Sequence, residues 1–203
     1  MSAPSTLILN GSPHTDGNSV FLARMVAAAL GGHCRIVHLF GERLEPCRAC
    51  LACRGGGACP IDDAMPAILD KLAGADFVVM ASPLHFTSLT APLVAFISRL
   101  QPFWHARNRG GAVDGRPPGR QSGALVVTGG ANYPNMFRPA RSVALAAFKS
   151  LDIPFAGMLA VPDTDRVPAR DNFAAHAEAA ALADSLRTMR GNGQDRGPDA
   201  QIQ

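Results

Sequence analysis

A doubly wound α/β sheet of five parallel strands is the fold this sequence predicts, on three observations. Short apolar runs alternate along the chain with segments of helical periodicity. The runs at residues 76–81 (DFVVMA) and 123–128 (GALVVT) are continuously apolar, as strands covered on both faces must be. The loops after the first, third and fourth runs are crowded with Gly, Pro, Ser, Thr and Asn, which suits ligand loops at the carboxyl ends of an open sheet. The 203 residues, 47% apolar and 17% charged, suffice for one such domain and exclude wholesale disorder.

Residues 6–10 read as the first strand, which stops in Asn10-Gly11-Ser12-Pro13. A helix follows over 19–30, capped by Asn18 or Ser19 and ended by Gly31-Gly32. Residues 34–40 (CRIVHLF) alternate as a second strand, with Cys34 a buried small hydrophobe. A long loop over 41–62 carries four cysteines. Asp62 or Asp63 then caps a helix reaching about residue 73, with Met65, Ile68, Leu69 and Leu72 at helical spacing and Pro66 in its first turn.

Residues 76–81 form the third strand and 82–86 the turn after it; 91–100 read as a helix with Pro92 near its start. Residues 102–121 are rich in Gly, Pro and Arg and have no period, so a mobile loop or functional lid is expected there, carrying the lone Trp104. The fourth strand (123–128), a polar loop (129–135) with the lone Tyr133, a helix (137–151), the fifth strand (154–161, PFAGMLAV) and an Ala-rich helix (169–189) complete the order. Residues 1–190 thus read as one domain with a Cys-rich insertion at 46–60 and the mobile loop at 102–121, and 191–203 as a disordered tail.

The formal charge of +3 comes almost wholly from arginine, since Lys71 and Lys149 are the only lysines. Arg107, Arg109, Arg116 and Arg120 gather in one segment, but no aromatics interleave with them as a single-strand binder requires, so nucleic acid is excluded as a partner. No apolar run approaches the ~20 residues of a membrane span. The first residues carry no basic leader region, so a cytoplasmic protein without a membrane partner is the expectation.

The first loop carries the most chemistry. A buried strand empties into a tight polar turn that opens a helix, and free N–H groups with the helix dipole favour an anion there. GxGxxG and GxxxxGK[ST] are both missing, which excludes a Rossmann fingerprint and a P-loop. Ser12, Thr15, Asn18 and Ser19 offer neutral hydrogen bonds, and His14 is the one candidate cation. That set suits a resident monophosphate better than a transferred phosphoryl group. The plain alternative is a strand-to-helix turn with a capping serine.

The loop LNGSPHTDGNS, the segment ASPLHFTSLTAPLVAFISRL and the turn Thr128-Gly129-Gly130 together resemble the flavodoxin-like NAD(P)H-dependent FMN reductase family. The resemblance spans roughly residues 6–160 and implies the flavodoxin-like strand order 2-1-3-4-5. It implies FMN as cofactor, with Ser12, His14, Asn18 and Ser19 on its phosphate. Pro83, Leu84, His85 and Phe86 would lie against the isoalloxazine ring, and Thr128, Gly129 and Gly130 would border its pyrimidine side. Relatives often carry Tyr or Trp where His85 stands, and Lys and Asp where Val94 and Ser98 stand. For His85 two readings stay open, contact with the ring or a helix cap.

The run Cys47-x2-Cys50-x2-Cys53-x5-Cys59 is the second strong motif. Compact CxxCxxC with a fourth Cys suits a cluster, because short loops wrap thiolates around a cubane more readily than around one zinc. The same motif resembles that of the iron–sulfur flavoproteins, a branch of this family. By that resemblance Cys47, Cys50, Cys53 and Cys59 are ligands of a 4Fe–4S cluster. Free thiols under a Cys-Pro turn and a tetrahedral zinc site are the alternatives.

Three functions follow. The first is an FMN-dependent NAD(P)H oxidoreductase passing electrons to a flavin or quinone-like acceptor, with NAD(P)H as co-substrate. The second is an iron–sulfur flavoprotein that exchanges electrons with a ferredoxin-like protein. The third is a zinc- or thiol-based redox-responsive protein that is not an enzyme. The resemblance also implies a homodimer or homotetramer.

Overall fold

The computed structural model describes residues 3–55, 57–109 and 121–194. Five parallel strands, β1 (Ser5–Asn10), β2 (His33–His38), β3 (Phe77–Pro83), β4 (Ser122–Thr128) and β5 (Phe155–Val161), form one sheet in the order β2-β1-β3-β4-β5. The helices are α1 (Asn18–Leu30), α2 (Met65–Ala73), α3 (Ala91–Ser98), α4 (Gln101–Arg109), α5 (Arg138–Ser150) and α6 (Phe173–Gln194). The flavodoxin-like order expected from the sequence is the one observed. β1 pairs with β2 on one side and β3 on the other, so the connections leave β1 and β3 in opposite directions. In open α/β sheets such a switch of direction is where ligands bind, outside the carboxyl ends of the strands.

Strand alternation divides the core into two layers. Leu7, Leu9, Val78, Met80, Leu125 and Val127 face one way, into a cluster shared with Ile68 and Leu72 of α2, Leu93 and Phe96 of α3 and Phe148 of α5. Ile8, Phe77, Val79, Ala81, Ala124 and Val126 face the other, against α1 and α6. Both faces are dry, which is why these strands read as continuous apolar runs. Between the layers Gly123 lets α5 approach the sheet: a Cβ there would stand 2.2 Å from the Phe148 ring. Gly123→Ala is therefore expected to destabilise the fold by about 1–3 kcal/mol through overpacking. The check is a lower urea midpoint at constant slope; an unmoved midpoint would show that the ring yields freely.

The helix ends follow local chemistry. α1 stops where Gly31, at φ 74°, turns its N–H back to the carbonyls of Ala27 and Ala28. Its N-cap is Gly17, with no side-chain cap, in place of the expected Asn18 or Ser19. The N-cap of α2 is Ala64 in place of the expected Asp62 or Asp63, and Asp63, just before it, accepts from the Met65 N–H at 2.9 Å.

Four expectations are corrected. Residues 102–109, expected as part of a mobile loop, belong to α4, because Phe103 is buried in the core and anchors it. Pro102 is a break between helices rather than a loop signal: inside a continuous helix its ring would clash with the Ser98 carbonyl, so α3 closes and α4 restarts. Of the rest of that expected loop, 110–120 lie outside the described residues, and Gln121 is buried, its Nε2 donating to the carbonyls of Leu72 and Ala75 at 2.6 Å each. Trp104 accordingly stands on a helix, half exposed.

Residues 191–194, expected as the start of a disordered tail, are helical, since α6 continues to Gln194. Arg190 pairs with Asp76 at 2.6 Å and lies over the Phe77 ring, which holds the helix past Met189. Residues 195–203 lie outside the described residues. Cys34, expected buried, is exposed, because β2 is an edge strand. Among the described residues no helix is long and apolar enough to cross a membrane.

Candidate functional site

Asn10, the last residue of β1, organises the first loop. It is fully buried, and its Oδ1 accepts from the Ser12 N–H at 2.9 Å. Its Nδ2 donates to the carbonyls of Ser12 (3.4 Å) and His14 (3.3 Å) and lies 2.9 Å from His38 Nδ1. One amide thus folds the turn back on the strand that delivers it. Ser12, itself buried, continues the turn: its Oγ accepts from the His14 N–H at 3.1 Å.

The loop opens α1 with donors to spare. The first helical hydrogen bond runs from the Phe21 N–H to the Gly17 carbonyl, so the N–H groups of Asn18, Ser19 and Val20 precede any helical acceptor. No acidic side chain lies in that first turn to neutralise the dipole. Of the four residues expected on the phosphate, Ser12 is buried beneath the turn and His14 is exposed. Ser19 Oγ is buried without a hydrogen-bond partner. Asn18 Oδ1 accepts from the Ala169 N–H at 2.9 Å, which ties the loop to the segment before α6 and leaves the amide NH2 as its donor.

The loops after β1, β3 and β4 are joined edge to edge. Gly11 donates to the Ala81 carbonyl at 2.8 Å, and Thr90 Oγ1 donates to the Gly11 carbonyl at 2.6 Å. A Cβ on Gly11 would meet Thr90 Oγ1 at 2.7 Å, so only glycine lets the two loops approach this closely. The Leu84 N–H donates to the Thr128 carbonyl at 2.8 Å. Thr128 and Gly129 are buried, and Gly129 is pinned by the Thr164 N–H and Oγ1, both donating to its carbonyl.

The tip of the β3 loop is strained. Phe86 and Thr87 both have positive φ, 49° and 64°, held between paired backbone bonds of His85 and Ser88. Left-handed backbone at two successive non-glycine residues costs on the order of 1–3 kcal/mol each and clusters at ligand sites. The outcome is a Phe86 side chain fully exposed beside an exposed His85. The capping alternative for His85 is excluded, because α3 starts at Ala91 with Thr90 as its N-cap.

The cysteine loop docks on the same α3. Cys47 N–H donates to Ser98 Oγ at 3.0 Å. Arg99, at the end of the helix, donates to the Glu45 carbonyl at 3.0 Å and pairs with Asp63 at 2.5 Å, with both charged side chains buried. Burial alone would raise the Asp63 carboxyl. Hydrogen bonds from Arg99 and from the N–H groups of Glu45 and Met65 outweigh it and hold the group below its ordinary value. The loop from 45 to 63 is therefore clamped at both ends by one buried ion pair.

Within it, Cys47, Cys50, Cys53 and Cys59 line one pocket, together with Arg99. Ala49 and Leu51, between the first three cysteines, are held at φ 52° and 62°. Burial pushes the Cys53 thiol up, and negative charge on Cys59, Cys47 and Cys50 adds to that rise. All four cysteines are free thiols. Among the described residues no group of three or more His, Cys, Asp or Glu side chains is gathered so as to hold a metal ion.

Asn10, Thr90 and Arg99 are the residues that sequence reasoning missed. For Arg99 a signal existed: an arginine between Phe96-Ile97-Ser98 and Leu100 sits in an apolar helix end, where a charge needs a carboxylate partner.

Known proteins resemble this chain in sequence and in fold. An iron-sulfur flavoprotein of Methanocaldococcus jannaschii is 34% identical over 112 residues, covering 52% of this chain and 58% of that protein. One from Archaeoglobus fulgidus is 30% identical over 132 residues, covering 61% and 54%. The chain thus spans just over half the length of these curated relatives. In three dimensions an azoreductase of Bacillus anthracis superposes with a TM-score of 0.66 at 17% identity, over 89% of this chain and 99% of that one, which shows a shared fold. Residues 4–149, from before β1 into α5, match the family described as NADPH-dependent FMN reductase, and the chain belongs to that family.

Proposed function

We propose that this chain is an FMN-dependent oxidoreductase carrying a second redox centre, a 4Fe–4S cluster, on Cys47, Cys50, Cys53 and Cys59. The observation that carries the second centre is that four thiols, brought from a 13-residue stretch, line one pocket docked on α3. The relatives bearing the name iron-sulfur flavoprotein support the same reading. Bound FMN would supply hydride and single-electron chemistry at its ring; the chain supplies position and electrostatics.

In this reading the Asn18, Ser19 and Val20 N–H groups and the Ser12 and Ser19 hydroxyls hold the phosphate, with the exposed His14 side chain as a further contact. The orphaned Ser19 Oγ and the uncapped α1 fit a resident anion. Pro83, Leu84, His85 and Phe86 flank the ring on one side, and Thr128, Gly129 and Gly130 border it on another. A homodimer or homotetramer belongs to the same proposal, supported by the fully exposed Phe86 at the ligand end of the sheet.

A second reading, an NAD(P)H-dependent FMN reductase without a cluster, is supported by the family match over residues 4–149. Its acceptor would be a small flavin or quinone-like molecule. The visible spectrum of anaerobically purified protein, with iron, sulfide and zinc analysis, separates the two. Broad absorbance beyond the flavin bands with about four irons per chain supports the cluster. Flavin bands alone, bleached by NADPH, support the simpler reductase. A colourless, zinc-loaded protein overturns both. Cys50→Ala is expected to remove the iron and spare the flavin; unchanged iron content would count against these ligands.

A further inference from the structure

Arg99 has more donor capacity than its visible partners use. Its side chain is 1% exposed. The two terminal nitrogens are committed: Nη1 donates to Asp63 Oδ2 (2.5 Å) and the Glu45 carbonyl (3.0 Å), and Nη2 to Asp63 Oδ1 (3.4 Å) and the Ile61 carbonyl (3.5 Å). Nε–H is buried with no acceptor. A buried guanidinium N–H is rarely left unmade, and one that is marks a place where another acceptor belongs.

The surroundings say which acceptor. Arg99 lines the pocket of the four cysteines, whereas its partner Asp63 does not. The buried ion pair is therefore oriented, with its positive end toward the sulfurs and its negative end behind. Burial works against the Arg99 charge, but Asp63 and then the Cys59 sulfur outweigh it and raise the guanidinium above its ordinary value. The exposed Arg48 on the same rim is already paired with Glu45 at 2.5 Å, so Arg99 is the buried cation of this pocket among the described residues.

We propose that Arg99 tunes the redox centre of the cysteine pocket: its Nε–H donates to a sulfur of the centre, and its oriented pair with Asp63 raises the reduction potential. The inference rests on the 4Fe–4S reading above. A cluster on four thiolates gains one negative charge when it takes up one electron. A fixed cation and an N–H donor at its sulfurs stabilise that reduced form more than the oxidised one. Asp63, farther from the pocket, acts with the opposite sign.

The test is a potentiometric titration of the iron-loaded protein followed by EPR, with iron and sulfide measured on every sample. Arg99→Lys keeps the charge near Asp63 and removes the Nε donor. It is expected to lower the midpoint by about 59 mV, a tenfold change in the ratio of reduced to oxidised cluster. Asp63→Asn, which keeps an acceptor for the Met65 N–H, is expected to shift the midpoint the other way. A purely structural clamp would move both variants alike or neither, and that result overturns the proposal.

A second measurement needs no variant. In wild-type protein grown with 15N-arginine, the reduced cluster should show a 15N hyperfine coupling; its absence overturns the proposal however the variants fold. Wild-type protein without iron overturns the 4Fe–4S reading itself, and the inference with it.

Discussion

Asp63→Ala is expected to lower the stability of the flavin-free, iron-free protein by about 3–5 kcal/mol, the cost of leaving one member of a buried ion pair uncompensated. Both charged side chains are buried, and the carboxylate also accepts from the N–H groups of Glu45 and Met65 at 2.9 Å each. Alanine takes an acceptor from four donors at once, the Glu45 and Met65 N–H groups and both terminal nitrogens of Arg99, and leaves the Arg99 charge without its counterion. Against a typical domain stability of about 5–15 kcal/mol, this is a large fraction.

The same residue makes the effect depend on pH with a definite sign. The folded state holds the Asp63 carboxyl below its ordinary value of 3.8, so the unfolded chain takes up that proton first. The stabilisation is fully present above 3.8 and is lost as pH falls through the lower, folded value. Urea midpoints of wild type and variant should differ most at neutral pH and converge in the acid range. A gap that is small at neutral pH, or that widens on acidification, would show that the pair is not holding the loop.

Asn10→Leu is expected to weaken FMN binding by about 5- to 150-fold, the equivalent of about 1–3 kcal/mol for polar groups left unmade in the buried turn. Leucine matches the amide roughly in size but offers the Ser12 N–H no acceptor and the Ser12 and His14 carbonyls no donor. The turn that presents the α1 N–H groups then loses its internal template. Fluorescence titration of apo-protein with FMN and with riboflavin checks it. Riboflavin lacks the phosphate, so its affinity should fall much less. Equal losses for both ligands would place the phosphate elsewhere.

Particular residues show where sequence reasoning succeeds and where it stops. The strands were legible because Val78–Val79–Met80 and Leu125–Val126–Val127 are buried on both faces, and continuous burial writes itself as continuous apolarity. The polar loops after β1, β3 and β4 were legible because tight turns after buried strands demand Gly, Asn and Ser. α4 was not, since Pro102 and the arginines after it weigh toward a loop until Phe103 is seen to be buried. Cys34 was misjudged because composition cannot tell an edge strand from an interior one.

By itself, then, the sequence determined the order of the five strands, the doubly wound sheet, the three polar loops at its carboxyl ends and the cysteine spacing, all set by local periodicity and turn chemistry. The tertiary structure decided which of those pieces meet. Thr90 closes on Gly11 across 79 residues, Asn18 reaches Ala169 across 151, and Arg99 finds Asp63 across 36. Such pairings depend on the order of strands and the docking of helices, and a buried charge or amide has no preferred partner until packing excludes water from it. The cysteines illustrate the division. Their spacing is local, but the pocket they line, and the arginine set against them, exist only because α3 and the loop are clamped together.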